Sequence, residues 1–218
     1  MSEAPIRDAA TVVLLRRMES GPAVLMGQRG ARAVFMPSKY VFPGGAVEPA
    51  DAGTVFARPL SAETHAALRD RSDAPPEALA AAAIRELVEE TGQVLGQPGT
   101  GCDWPGFDGH APDAAPLRYM FRAITPPGRP RRFDARFFLV DADALATDLD
   151  DHSRAEDELA QLQWVPLSQA RALDVPFVTE IVLAEVAAIA AGRTSAGVPF
   201  LDNSGETSHF RRITPAAG

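Results

Sequence analysis

Cysteine is almost missing from this 218-residue chain: Cys102 stands alone. One thiol closes no intrachain disulfide and makes a poor zinc site, so Cys102 reads as a bystander. No run approaches the ~20 consecutive apolar residues that a membrane helix needs. The opening MSEAPIRDAA lacks the basic-then-apolar layout of a secretory signal, so a cytoplasmic location and no membrane partner are expected. His65, His110, His152 and His209 show no metal-ligand spacing and receive no role. Positive charge is scarce too: 21 Lys and Arg against 29 Asp and Glu leave 21 − 29 = −8. That balance argues against a nucleic-acid partner, because such binding leans on phosphate neutralisation by basic side chains. An anionic small molecule would need local arginines or a bound cation to approach. Internal repeats and low-complexity tracts are absent.

What is present is ordinary for a folded chain, 46% hydrophobic and 23% charged. At ~150 residues per domain the length suggests roughly 1.5 domains. A single domain over 1–218 with an insertion at about 49–76 and a loose tail from about 205 accommodates this.

Ala10 to Arg17 is apolar and β-branched, a strand. Ser20 to Pro22 turns, and extended structure resumes at Ala23, so the two runs can pair as a hairpin. Pro43-Gly44-Gly45 is a loop. Between Pro49 and Pro76 the composition drifts to Ala, Asp, Ser and Pro around one helical piece, Ser61 to Arg71. A longer helix spans Glu77 to Thr91, with Asp73 as candidate N-cap and Gly92 as its stop. Leu79, Ala80, Ala83, Ile84 and Leu87 give it one buried stripe. Gly96 to Pro112 reads as a connector. LRYMFRAIT and RRFDARFFLVDA are two strands, the second alternating Phe133, Ala135, Phe137 and Leu139 against Arg132, Asp134 and Arg136. A short strand starts at Leu159, and a closing helix covers about Thr179 to Ala191.

The helix from Glu77 breaks a rule. At about 100° per residue, Glu86, Glu89 and Glu90 share one arc of about 100°. They sit in its last turns, where the dipole disfavours negative charge. On a solvated face each like pair costs a few tenths of a kcal/mol. At ~5.5 Å and an effective dielectric near 20 the cost rises to roughly 3 kcal/mol. A divalent cation would reverse the sign. Oxygen ligands without a Cys/His cluster favour Mg²⁺ or Mn²⁺ over softer metals; the other reading is a solvated acidic face.

The surrounding string narrows the choice. Val41-Phe42-Pro43-Gly44-Gly45-Ala46-Val47-Glu48 precedes Glu77-x7-Arg85-Glu86-Leu87-Val88-Glu89-Glu90-Thr91-Gly92. This resembles the Nudix box, G-x5-E-x7-R-E-U-x-E-E-x-G-U, where U is a bulky aliphatic residue. Two positions depart from it. Between Gly45 and Glu77 lie 77 − 45 − 1 = 31 residues where the box has five, an insertion of 26. The last U is Gln93, with Val94 one place on. Loop closure costs little extra per added residue, so the fold can absorb the insertion. Together with FMPSKYVFPGGAVEPAD and AITPPGRPRRFDARFFLV, the interruption resembles the peroxisomal coenzyme A diphosphatase branch. The final Thr214-Pro215-Ala216-Ala217-Gly218 differs from a peroxisomal S-K-L-type address.

The resemblance implies an α/β (α+β) fold, a mixed sheet sandwiched between helices. It also implies metal-dependent hydrolysis of a nucleoside diphosphate linked to another group. Glu86, Glu89, Glu90 and the Gly44 carbonyl would ligate the cation, and one glutamate would draw a proton from water. Arg85 would orient a helix carboxylate or simply pair with Glu89. Glu77 opens the helix, where its charge is favoured anyway. A further carboxylate would come from Asp157 or Glu158, with Glu158 preferred for its distance from Trp164. Arg131, Arg132 and Arg136, in a basic stretch that starts at Arg129, are candidates for substrate phosphate, with surface solubilisation as the other reading. Phe35 or Tyr40 could stack on a base or simply pack. Coenzyme A or acyl-coenzyme A is the leading substrate. ADP-ribose, a nucleotide sugar or a dinucleotide is the alternative, and a catalytically silent nucleotide sensor the reading of another class. A homodimer is compatible with all of them.

Overall fold

The apolar run at Ala10 belongs to a longer strand, β1 (Ile6–Met18), whose Val12, Val13 and Leu14 are fully buried. The computed structural model of the chain describes residues 4–100, 102–193 and 196–214. β1 turns into β2 (Gly21–Arg29), and Leu15–Val24 through Met18–Gly21 pair antiparallel, the expected hairpin. Two short strands follow, β3 (Tyr40–Val41) and β4 (Gly44–Ala46). The region read as an insertion opens on a 3-10 turn at Pro49–Gly53 and carries α1 (Ala62–Leu68), capped by Ser61 Oγ accepting from the Thr64 amide at 3.1 Å. Then comes α2 (Pro76–Thr91). Its N-cap is Pro75 and not Asp73. Proline suits a first turn because its missing N–H would go unbonded there. Gly92 ends the helix in the left-handed region at φ 72°, its amide donating to Val88 O.

The glycine- and proline-rich connector contains a small pair, β5 (Gly96–Pro98) with β6 (His110–Pro112). β7 (Arg118–Ile124), β8 (Arg132–Asp141), β9 (Leu159–Pro166), α3 (Leu167–Ala170), α4 (Phe177–Ala190), β10 (Val198–Asp202) and β11 (His209–Ile213) complete the order. The last strand corrects the reading of a loose tail, because His209–Ile213 pair with β10 in five successive register positions. Residues 215–218 lie outside the described residues.

Among the described residues nine strands form one mixed sheet, ordered β11-β10-β7-β8-β1-β2-β3, with β4 beside β1 and β9 beside β2. Period-2 alternation splits its core between two faces. Val12, Leu14, Phe138 and Val140 pack with Leu79, Ala83, Ile84 and Leu87 of α2. Val13, Leu15, Phe137 and Leu139 pack with Val182, Leu183 and Val186 of α4. The result is the expected sandwich of a mixed sheet between helices. No helix among the described residues is long and apolar enough to cross a membrane.

A buried ionic network ties the insertion's exit to the sheet. Arg122 donates to both Asp134 oxygens (2.9 and 2.7 Å) and to the carbonyls of Asp70 and Arg71 (3.0 and 2.9 Å). Arg136, 1% exposed, donates to Ser72 Oγ at 2.7 Å and pairs with Asp8 and Asp134. Removing one partner from such a network leaves a desolvated charge, which costs about 3–5 kcal/mol. Arg136→Leu should lose stability on that scale in urea denaturation; a loss below ~1 kcal/mol would show that the network does not hold the insertion.

Candidate active site

The lower half of α2 meets the backbone of residues 43–46. β4 pairs with β1 at Ala9–Ala46, Ala10–Gly45 and Thr11–Gly44, and the Val12 amide donates to Pro43 O at 2.9 Å. This lays a glycine strand directly against the helix glutamates. A Cβ on Gly45 would fall 2.3–2.5 Å from the Glu86 carboxylate, so no side chain fits there without displacing it. The Gly44 amide donates to Glu90 Oε2 at 2.7 Å. Glu90 is 2% exposed, and its Oε1 is buried with no hydrogen-bond partner.

Arg85 organises the other carboxylates. Its Nη1 donates to Glu86 Oε1 (2.9 Å) and Glu89 Oε2 (3.0 Å). Its Nε and Nη2 donate to the two oxygens of Asp51 (3.0 and 3.2 Å), and Nη2 also reaches Ala46 O. The orienting role and the i,i+4 pair therefore coexist. Burial pulls the Arg85 pKa down, but Asp51 and Glu86 outweigh it and keep the guanidinium charged. Burial pushes Glu86 up to about 7 against the pull of Arg85. Glu89 is raised by burial as well. Glu90 lies well above the usual carboxylate range, driven by burial and resisted by the Gly44 amide; the charges of Glu86 and Glu158 add to the rise.

Among the described residues no three His, Cys, Asp or Glu side chains are preassembled around one point. Glu86 and Glu89 lean on Arg85, and Glu90 on the Gly44 amide. Three features still fit a hard divalent cation: an all-oxygen donor set, a buried carboxylate oxygen lacking a donor, and a glycine strand leaving room beside Glu86.

Glu158 is half exposed and accepts from Arg29 Nη2 at 2.8 Å. It also lines a cavity of about 500 Å³ with Arg29, Arg32, Phe35 and Arg131. Phe35 packs edge-on against Phe133, with centroids 5.2 Å apart. The structure thus brings Glu158, Phe35 and Arg131 together. It does not bring Arg132 and Arg136 with them. The segment at 70–72, Asp8 and the Ser204 carbonyl cover that face of β8, so its arginines are buried. Arg132, 3% exposed, donates to the carbonyls of Thr125 (3.0 Å) and Ser204 (2.9 Å), and Arg136 belongs to the ionic network. Both are corrected from candidate phosphate ligands to interior pairing groups. Tyr40 donates to Gln161 Oε1, and Arg129 is exposed.

Residues 5–185 match the NUDIX domain family. The chain belongs to the Nudix family. It is 32% identical to the crystallised NUDIX hydrolase from Alicyclobacillus acidocaldarius, over 89% of this chain and 99% of that one, with a TM-score of 0.66. The MutT protein from Methanosarcina mazei Go1 shares the fold at 16% identity and a TM-score of 0.51, over 84% of this chain and 94% of that one. None of the curated proteins matches the chain. This Nudix chain is accordingly a hydrolase of pyrophosphate bonds, acting on nucleoside diphosphates linked to another group. Nudix hydrolases use divalent metal ions.

In Nudix terms the sequence reading misplaced one position. With five residues between them, Gly45 is followed by Asp51, and Asp51 holds Arg85. Glu77 satisfies the spacing to Arg85, but it is half exposed and pairs with His65 at 3.2 Å. The extra length lies between the two, which are 77 − 51 = 26 positions apart. The signal was available as G-x5-D, with aspartate in place of glutamate. Arg29 and Arg32 were also missed; no local pattern distinguishes them from surface charge.

Gly45→Ala would force the Glu86 carboxylate aside. Titration of the variant with Mn²⁺ should show at least tenfold weaker binding, with the thermal midpoint little changed because Glu86 has a flexible side chain. Unaltered affinity would mean that this strand does not shape the cation site.

Proposed function

We propose that this Nudix hydrolase cleaves the diphosphate of coenzyme A or acyl-coenzyme A, releasing adenosine 3′,5′-bisphosphate and a phosphopantetheine, with Mg²⁺ or Mn²⁺ held by Gly44, Glu86, Glu89 and Glu90. One observation carries the reading: Glu158 lines the arginine- and phenylalanine-lined cavity, and its charge acts on Glu86 and Glu90 of the catalytic helix. A diphosphate at the cluster therefore has its nucleoside end beside Arg131 and Phe35. The interrupted box and its flanking segments point to the same substrate class.

When bound, the cation spreads the negative charge of the diphosphate and acidifies water. The protein does the rest. Asp51 fixes the Arg85 guanidinium, which sets the direction of Glu86 and Glu89 from the helix. The half-buried strand β4, packed against Glu86 and Glu90, limits how far the glutamates swing. A carboxylate among Glu86, Glu90 and Glu158 takes the proton of the attacking water as its oxygen bonds to phosphorus. The anhydride P–O bond breaks, and its electron pair leaves with the other phosphate. Preorganised positioning and charge neutralisation account for the rate, since phosphoryl transfer asks little covalent chemistry of the protein.

Pure protein should be incubated with coenzyme A, acetyl-coenzyme A, ADP-ribose and a diadenosine polyphosphate, with Mg²⁺ and with EDTA. Chromatography should show adenosine 3′,5′-bisphosphate from the first two at the highest kcat/KM, and nothing in EDTA. Preference for ADP-ribose or the dinucleotide would replace the substrate while keeping the chemistry.

A further inference from the structure

The cavity beside Glu158 carries more positive charge than anything else about this acidic chain would suggest. Arg29, Arg32 and Arg131 face one glutamate, a local balance of +2 in a protein of net charge −8. The three arginines come from two distant parts of the sequence: Arg29 and Arg32 from the end of β2 and the loop that follows it, and Arg131 from the segment entering β8. Solubility does not require arginines from separate segments to converge on one hollow.

Arg29 stands where the cavity meets the glutamates. Its Nη2 donates to Glu158, its side chain is 18% exposed, and its Nε is buried without a hydrogen-bond partner. Its partner Glu158 lines the same cavity, so Arg29 sits at the cavity's acidic edge. Arg32 and Arg131 are exposed, and their guanidinium forks have the planar geometry that grips phosphate oxygens. Phe35, half-buried and braced edge-on by Phe133, adds an aromatic surface to the same wall. At about 500 Å³ the space falls within the range of small-molecule sites.

We infer that this cavity is a subsite for a nucleoside bearing a phosphomonoester in addition to the diphosphate, with Arg32 and Arg131 gripping the monoester, Arg29 bridging it to the diphosphate end, and Phe35 supporting the base. The inference rests on the proposed diphosphatase reading and deepens it: Arg29, Arg32 and Arg131 select substrates whose nucleoside carries that extra phosphate. A neutral ribose leaves the arginines without an anion, and its diphosphate ester binds more weakly.

Isothermal titration in EDTA separates this subsite from the cation and from catalysis. The probes are adenosine 3′,5′-bisphosphate and adenosine 5′-monophosphate, which differ only in the second phosphate. The wild-type protein should bind the bisphosphate at least tenfold more tightly, with the margin shrinking as salt rises. In the Arg32→Ala/Arg131→Ala double variant, checked for an unchanged thermal midpoint, the margin should fall to within about twofold. Equal affinity of the wild-type protein for the two probes, no measurable binding of the bisphosphate, or a preference that survives in the variant would each overturn the inference. The substrate panel tells its failure from that of the underlying reading. Hydrolysis of coenzyme A by a protein indifferent to the second phosphate leaves the proposed function intact and removes only the subsite. No hydrolysis of any diphosphate with Mg²⁺ removes both.

Discussion

Glu90→Gln and Glu86→Gln should each lower kcat by roughly 10²–10⁴-fold, the scale on which a proton-handling or charge-positioning group contributes, while raising the stability of the cation-free protein. The two effects have one cause. Burial disfavours the ionised carboxylates, which is why Glu86 sits at about 7 and Glu90 well above the ordinary range. Folding that raises a carboxyl's pKa costs nothing below the unfolded value near 4.5, where the group is protonated in both states. The cost grows as pH rises from there to the folded value, and is constant above it. For Glu86 that ceiling is about 3 kcal/mol, at ~1.4 kcal/mol per pH unit. Thermal melts in EDTA should therefore show the Gln variants gaining stability over the wild type at pH 8 and losing that advantage by pH 4. Variants inactive but no more stable at pH 8 would mean that the glutamates carry no electrostatic cost, and the case for a cation would weaken.

The second large effect belongs to Asp51. It is 1% exposed and supplies both oxygens to Arg85. Asp51→Ala leaves the inner edge of a buried guanidinium without its anion, a change that costs about 3–5 kcal/mol. It also frees Arg85 to turn wholly toward Glu86 and Glu89, so kcat should fall along with stability. Glu77→Gln, at the other position that fits the spacing to Arg85, should stay within about 0.5 kcal/mol of the wild type, since its exposed pair with His65 is worth little. Equilibrium denaturation of the two variants decides the matter, and Asp51→Glu should recover part of the loss. If the Glu77 variant were the damaged one, the box would close through the insertion's far end and not through Asp51.

These two residues show what could be read from the chain and what could not. The acidic face of α2 was legible because helical periodicity is local: three glutamates at set spacings fall on one arc wherever the helix packs. The glycines before it were legible for the same reason. Asp51 was hidden because both Gly45-x5 and x7-Arg85 have valid partners, and only the packed chain shows which carboxylate reaches the guanidinium. Arg132 and Arg136 were misplaced by a different gap. Alternation along β8 puts them on one face, but whether that face is solvent or interior depends on β1, more than a hundred residues away in sequence. The arginine cavity fails to announce itself for a related reason, since Arg29 and Arg131 meet only after the sheet has closed. β11 was passed over because HFRRI carries too little apolar alternation to stand out from a polar tail.

The most direct measurement is calorimetric titration of the wild-type protein and of the Glu86→Gln/Glu90→Gln double variant with Mn²⁺ and Mg²⁺ at neutral pH. Saturable binding to the wild type, weakened at least a hundredfold in the variant, is the expected result. A wild-type protein that takes up neither ion, or a variant that binds them equally well, would contradict the assignment of these glutamates as the seat of the chemistry.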